Sequence, residues 1–235
     1  MKLIIKFLLF EIDFYMAIYN KSLLILYGME SKAEYDQTGE RMTKEVTRNS
    51  GIDVIGRVNW GTHFCQFYNT KQDLMDIIIP YLKAGLENNE FCIWIASNPL
   101  EAKKSFEKSV PDLDIYLEKR QIEIINYDDW YLKRGFFDTQ GILNGLFEKV
   151  NRALADGYDG LRLFEGIFSL EEEYRDDFAE YEREINRLIE NSQMLVLCTY
   201  YPSKYNAAEI INIIESHQFA LIKKEGKWEK IKNLG

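Results

Sequence analysis

The chain's 235 residues are 46% hydrophobic and 14% aromatic, with 4 prolines and 14 glycines, which suits one α/β domain with an appendage and argues against a long low-complexity tract. Its 38 acidic and 29 basic side chains leave a formal net charge of -9, and no local Lys/Arg cluster offsets it, so direct nucleic-acid binding is not expected. Three cysteines (Cys65, Cys92, Cys198) without a CxxC pair argue against a disulfide framework and fit a reducing cytoplasm.

The N-terminal runs MKLIIKFLLF, FYMAIYN and LLILYGM look membrane-like, yet Lys6, Glu11, Asp13 and Lys21 interrupt them. A spanning helix wants about 20 mostly apolar residues, so no transmembrane span is expected, and no signal-peptide cleavage site follows. Three readings stay open: a partner-packing helix, a membrane-surface helix, or residues upstream of the true start, with Met29 and Met42 as alternative starts. Residues 30–50 are polar and read as a linker, making 1–50 a separate segment and 51–235 the folded domain.

From Gly51 onward, strand-like runs alternate with helix-period segments. His63–Tyr68 (HFCQFY) is the first strand candidate, and Leu74–Leu86 has helical apolar spacing. Phe91–Ala96 (FCIWIA) is the continuous apolar run of a buried parallel strand, followed by a helix over 99–108 that Pro99 opens. Ile122–Tyr127 is a strand and Gly141–Ala155 a helix. Leu161–Phe168, a helix over 171–190 and Met194–Tyr200 continue the alternation. The acidic side chains Glu171, Glu172, Glu173, Asp176, Asp177 and Glu180 read as a solvated face of that helix. A helix over 206–216 leads to a closing hairpin with its turn at Glu225-Gly226. Strands separated by helices imply parallel crossovers: an α/β fold of three layers, a mostly parallel central sheet flanked by helices, with a C-terminal β-hairpin.

Several stretches in this order resemble the MEDS domain, a sensory domain of methanogens and methylotrophs found in the dichloromethane-responsive repressor. They are WGTHFCQFYNTKQDL, AGLENNEFCIWIAS, QIEIINYDDWY, GYDGLRLFEG, FAEYE and MLVLCTYYPSKYNAAEII, and the resemblance spans about Gly51 to Ile231. It implies a cytoplasmic sensory role, upstream of a histidine kinase or attached to a transcription regulator, with a small organic ligand. The order of elements is also similar to the core of KaiC/RecA-like ATPases. The segment HFCQFYNTKQDL stands where those enzymes wrap phosphate. It has no glycine, and Lys71 is followed by Gln72 and Asp73, so a P-loop is absent and nucleotide hydrolysis is not expected.

In open α/β sheets, ligands bind beyond the carboxyl ends of the strands. Eight residues are therefore candidate ligand contacts: His63, Cys65, Gln66, Tyr68, Trp130, Arg162, Glu165 and Tyr200. Each has a competing reading as core packing or an internally satisfied polar group. Strand alternation sets His63 and Cys65 on one face, Gln66 and Tyr68 on the other. Arg162, mid-strand, needs an acceptor: an anionic ligand, or Glu165, Asp159 or Glu182. Cys92 and Cys198 read as small buried hydrophobes. Zinc wants three or four ligands. With His217 in the helix-to-hairpin region and Cys198 on another strand, neither a metal nor a cofactor is expected.

A ligand-binding sensor is the leading function. A degenerate RecA-like or thiol-dependent enzyme using Cys65, His63 and Glu165 is one alternative, and a ligand-free interaction module another. A homodimer stays open. Both His63→Ala and Arg162→Ala are expected to abolish ligand response while leaving the fold intact.

Overall fold

The computed structural model describes residues 47–133, 135–166 and 174–233. The N-terminal apolar runs, most of the linker, and Glu171, Glu172 and Glu173 lie outside the described residues. So do Ile167 and Phe168 of the expected third central strand.

The described chain opens with a small antiparallel pair, β1 (Thr47–Asn49) and β2 (Arg57–Asn59). This pair starts ahead of the expected boundary at Gly51. Gly51 has φ +78°, and a Cβ there would lie 2.0 Å from the Pro80 carbonyl oxygen, so only glycine lets this loop seat against the neighbouring helix.

The main sheet follows: β3 (Thr62–Phe67), β4 (Phe91–Ala96), β5 (Ile122–Asn126), β6 (Leu161–Gly166), β7 (Met194–Tyr200), β8 (Phe219–Lys224) and β9 (Lys227–Lys232). Spatial order is β5-β4-β6-β7-β3-β8-β9, parallel throughout except for the β8–β9 pair. The expected hairpin is present. Its turn residues Glu225 and Gly226 have φ 50° and 77°, both in the left-handed region that a two-residue hairpin of this type requires. Strands β3, β4, β6 and β7 are buried along their whole length, which is why they read as unbroken apolar runs.

Helices cover both faces. On one lie α1 (Lys71–Glu87), α2 (Pro99–Glu107) and α3 (Leu113–Glu118), packing Ile77, Ile78, Leu82, Phe106 and Leu113 against Phe64, Trp94 and Phe164. On the other lie α4 (Tyr127–Tyr131), α5 (Thr139–Ala155), α6 (Arg175–Ile189) and α7 (Ala207–Glu215). There Leu146, Val150, Ile185 and Ile189 meet Leu163, Val196 and Ala220. Each such side chain, fully removed from water, contributes about 1.5–3 kcal/mol. Helix α3 and the short α4 are elements that the apolar periodicity alone does not announce.

Candidate functional site

Alternation along β6 separates two residues that the sequence places side by side. Arg162 faces α1, and Glu165 faces α6. The acceptor for Arg162 is none of the three carboxylates anticipated; it is Glu90, just ahead of β4. The guanidinium donates from Nε to Glu90 Oε2 (2.5 Å) and from Nη2 to Glu90 Oε1 (3.1 Å) and Asn49 O (2.9 Å). Its Nη1 donates to Tyr81 O (2.7 Å) and Ser50 O (3.2 Å). All five donors are therefore engaged inside the protein. Arg48 Nε adds a second cation on Glu90 Oε1 at 2.9 Å.

Gln66 shares this face and donates to Asp73 O at 2.7 Å. Tyr68, half-buried, stacks obliquely on Tyr201 with ring centroids 5.8 Å apart.

The opposite face gathers His63, Cys65, Glu165 and Tyr200 from the candidate residues. The parallel register sets Cys65 beside Cys198 and Cys198 beside Glu165. Three residues outside the candidate set join them: Glu182, Cys198 and His217. Helix α6 buries Phe178, Tyr181, Glu182, Ile185 and Ile189 as one stripe, so a carboxylate occupies a position that the helical pattern reserves for an apolar group. That break in the stripe is the signal in the sequence for Glu182. His217 follows α7 and lands over the start of β3, with its ring centroid 4.1 Å from that of His63. These are the chain's two histidines, 154 positions apart, in contact. The expectation that the fold scatters His63, His217 and Cys198 is corrected: parallel pairing of β3 with β7 and β8 brings them together. Cys198 is buried as expected, but among polar groups.

The cluster is held from outside and strained within. Tyr200 Oη donates to Glu182 Oε1 at 2.8 Å, and Tyr181 Oη to Glu165 Oε1 at 2.6 Å. Cys198 Sγ lies 3.4 Å from Glu165 Oε2 and 3.8 Å from Glu182 Oε2. His63 Nε2 lies 3.3 Å from Cys198 Sγ and 3.2 Å from Glu182 Oε2. His217 Nδ1, 2.6 Å from Ile213 O, donates to that carbonyl, which leaves Nε2 as a lone pair. That Nε2 sits 3.3 Å from Glu182 Oε2 without a hydrogen bond, and His63 Nδ1 has no partner either.

Burial, and after it the neighbouring His63, push His217 down to about 3. A neutral His217 offers Glu182 no compensating charge. Burial, and then the Glu182 carboxylate, push Glu165 up to about 8. Burial first and Glu182 second also push the Cys65 thiol up, the reverse of what an activated nucleophile needs.

The cluster lies over the sheet face, beneath α6 and α7, rather than at the carboxyl edge of the strands. A cleft of about 430 Å³ between these helices reaches it, with Glu182 and Tyr200 among its walls and Arg175, Phe178, Tyr205 and Ile213 around them. A larger cleft of about 790 Å³ runs between α4 and α5; it holds the half-buried Trp130 and Tyr131, but its other walls are largely surface charges such as Asp129, Lys133 and Arg152. None of the four residues at the heart of the cluster lines it.

No helix among the described residues is long and apolar enough to cross a membrane. No curated protein matches the chain. The fold is similar to that of a KaiC-like protein from the hyperthermophilic archaeon Pyrococcus horikoshii, with a TM-score of 0.53 at 16% identity, covering 79% of this chain and 86% of that one. The flagellar accessory protein FlaH from Methanocaldococcus jannaschii aligns with a TM-score of 0.49 at 13% identity, covering 79% and 84%. The family model of the methanogen/methylotroph, DcmR sensory domain matches residues 62–218, more than half of the 235-residue chain and every strand that carries the cluster, and the chain belongs to this MEDS family.

Proposed function

We propose that this domain senses a small organic ligand in the cytoplasm, relays it to a histidine kinase or transcription regulator, and does so without hydrolysing nucleotide. The observation that carries the reading is the α6–α7 cleft, whose inner wall is Glu182 and Tyr200 of a buried polar cluster. A cleft of about 430 Å³ suits a small molecule, and such sites pair apolar walls with a few fixed polar groups. Ligand capture would bias one of two conformations through its differential affinity for them.

The absence of hydrolysis is supported by the turn between β3 and α1. Thr70 caps α1 and Asp73 closes the capping box, so the amides of Asn69 and Thr70 donate to the Asp73 carboxylate and that of Asp73 to the Thr70 hydroxyl. A carboxylate there repels phosphate and uses the N–H groups a phosphate would need. The buried, high-pKa Cys65 weighs against a thiol enzyme.

The test is a thermal-shift screen of small alcohols, amines, thiols and halogenated one-carbon compounds beside ATP–Mg²⁺, on the wild type and on Ala179→Trp, which fills the cleft wall. A ligand at a hundredfold excess over its Kd stabilises by about 2.7 kcal/mol. The expected result is a small-organic hit that Ala179→Trp abolishes. A hit unaffected by that variant, no hit at all, or turnover of ATP would overturn the reading; the second of these would favour an interaction module.

A further inference from the structure

We propose that His63, Glu182, Cys198 and His217 form a tetrahedral site for a divalent transition metal of the zinc class. One ligand atom from each lies within 4.8 Å of all the others, and all four residues are buried. Metal–ligand bonds of about 2.0–2.3 Å set the corners of a tetrahedron about 3.3–3.8 Å apart. Four of the cluster's separations match those edges. His63 Nε2 to Glu182 Oε2 is 3.2 Å, His63 Nε2 to Cys198 Sγ 3.3 Å, His217 Nε2 to Glu182 Oε2 3.3 Å, and Cys198 Sγ to Glu182 Oε2 3.8 Å.

Protons alone do not settle these contacts. The Nδ1 of His217 donates to Ile213 O, so its Nε2 lone pair faces a carboxylate oxygen with nothing between them. A single N–H on His63 Nε2 could serve Cys198 or Glu182, not both. One cation at the centre satisfies all four atoms at once. The charges also balance: a divalent ion with one carboxylate, one thiolate and two neutral imidazoles is neutral overall, as a fully buried site requires. Binding releases the Cys198 thiol proton and changes no oxidation state.

The donor set chooses the ion. One sulfur and two imidazole nitrogens suit zinc-like transition metals, whereas calcium and magnesium demand oxygen. Outer contacts of the kind that orient metal ligands are in place: His217 Nδ1–H on a backbone carbonyl, Tyr200 Oη on Glu182 Oε1, and Glu165 against Cys198 Sγ. The inference rests on these atoms alone and holds whether or not the α6–α7 cleft takes an organic ligand.

The experiment uses tag-free full-length chain, stripped with a chelator and titrated with Co²⁺ as a spectroscopic stand-in for Zn²⁺. Because the chain has only two histidines, both in the cluster, no other histidine site competes. Expected are one bound equivalent, the intense visible bands of tetrahedral Co²⁺, a near-ultraviolet thiolate-to-cobalt band, and bleaching by Zn²⁺. Cys198→Ser should remove the near-ultraviolet band, while Cys65→Ser and Cys92→Ser retain it. His217→Gln should weaken binding by more than the roughly 10–100-fold that losing an outer partner costs. Substoichiometric binding, an octahedral spectrum, or a thiolate band that survives Cys198→Ser would overturn the site. If Cys198→Ser does not fold, the wild-type stoichiometry and spectrum decide by themselves.

Discussion

Each face of the central sheet buries a polar group, and the two solve the problem in opposite ways. On the α1 face, Arg162 places all five of its donors, and Glu90 receives two arginines. On the α6 face, Glu182, His63, Cys198 and His217 crowd several acceptor atoms together, and two imidazole nitrogens of the cluster lack a hydrogen bond. A closed network holds the layers in place and has nothing left to offer a guest. An open one costs free energy until something fills it, and such sites persist where function uses them. The contrast separates scaffold from site more sharply than burial does, since both clusters are inaccessible to solvent.

The largest effect is expected on the closed side. Arg162→Ala strands the Glu90 carboxylate and three backbone carbonyls, and breaking a buried pair from one side costs about 3–5 kcal/mol. This replaces the expectation that the variant keeps its fold intact. Chemical denaturation followed by circular dichroism reads it directly, and an unchanged midpoint would erase the distinction between the faces. Next comes Gly85→Ala in α1. The new Cβ would lie 2.7 Å from Cys92 Sγ and 2.9 Å from Arg162 Cδ, an overpacking worth about 1–3 kcal/mol of lost stability. Gly145→Ala in α5 provides the control, because nothing lies within 4 Å of its Cβ. There the gain in helix propensity should raise stability by about 0.5–1 kcal/mol, measured in the same titration.

How much of this was legible in the sequence differs between the sheet and its cluster. The central strands announce themselves because a strand covered on both faces must be apolar at every position, as FCIWIA and MLVLCTY are. The start at β1 was hidden, since TRN and RVN carry one buried residue each and pair only with each other. Within the site, alternation placed His63 and Cys65 together correctly, because period two is local. Partners across the sheet depend on strand order, and nothing in one sequence states that β3 lies between β7 and β8. For that reason Arg162 was matched to the wrong carboxylates, and His217 and Cys198 were set apart from His63. Glu182 was the exception: its place in the Phe178–Ile189 stripe marked it as buried before any partner was known.

The smallest expected change is the sharpest test of the comparison, because it applies one chemical substitution to both faces. Glu90→Gln removes an anion that two arginines need, so it should lower stability by about 3–5 kcal/mol. Glu182→Gln removes an anion that faces lone pairs. The new amide can donate to His217 Nε2 or His63 Nε2 while its oxygen still accepts from Tyr200 Oη, which gains a hydrogen bond of about 1 kcal/mol and offsets the packing lost. In chelator-treated protein the midpoint of Glu182→Gln should therefore stay at the wild-type value or rise slightly. With Zn²⁺ added the order should reverse, because an amide supplies neither the charge nor the ligand strength of the carboxylate, and the wild type alone should gain stability. Equal losses for the two Glu→Gln variants in metal-free protein would mean that the α6 face is as fully satisfied as the α1 face.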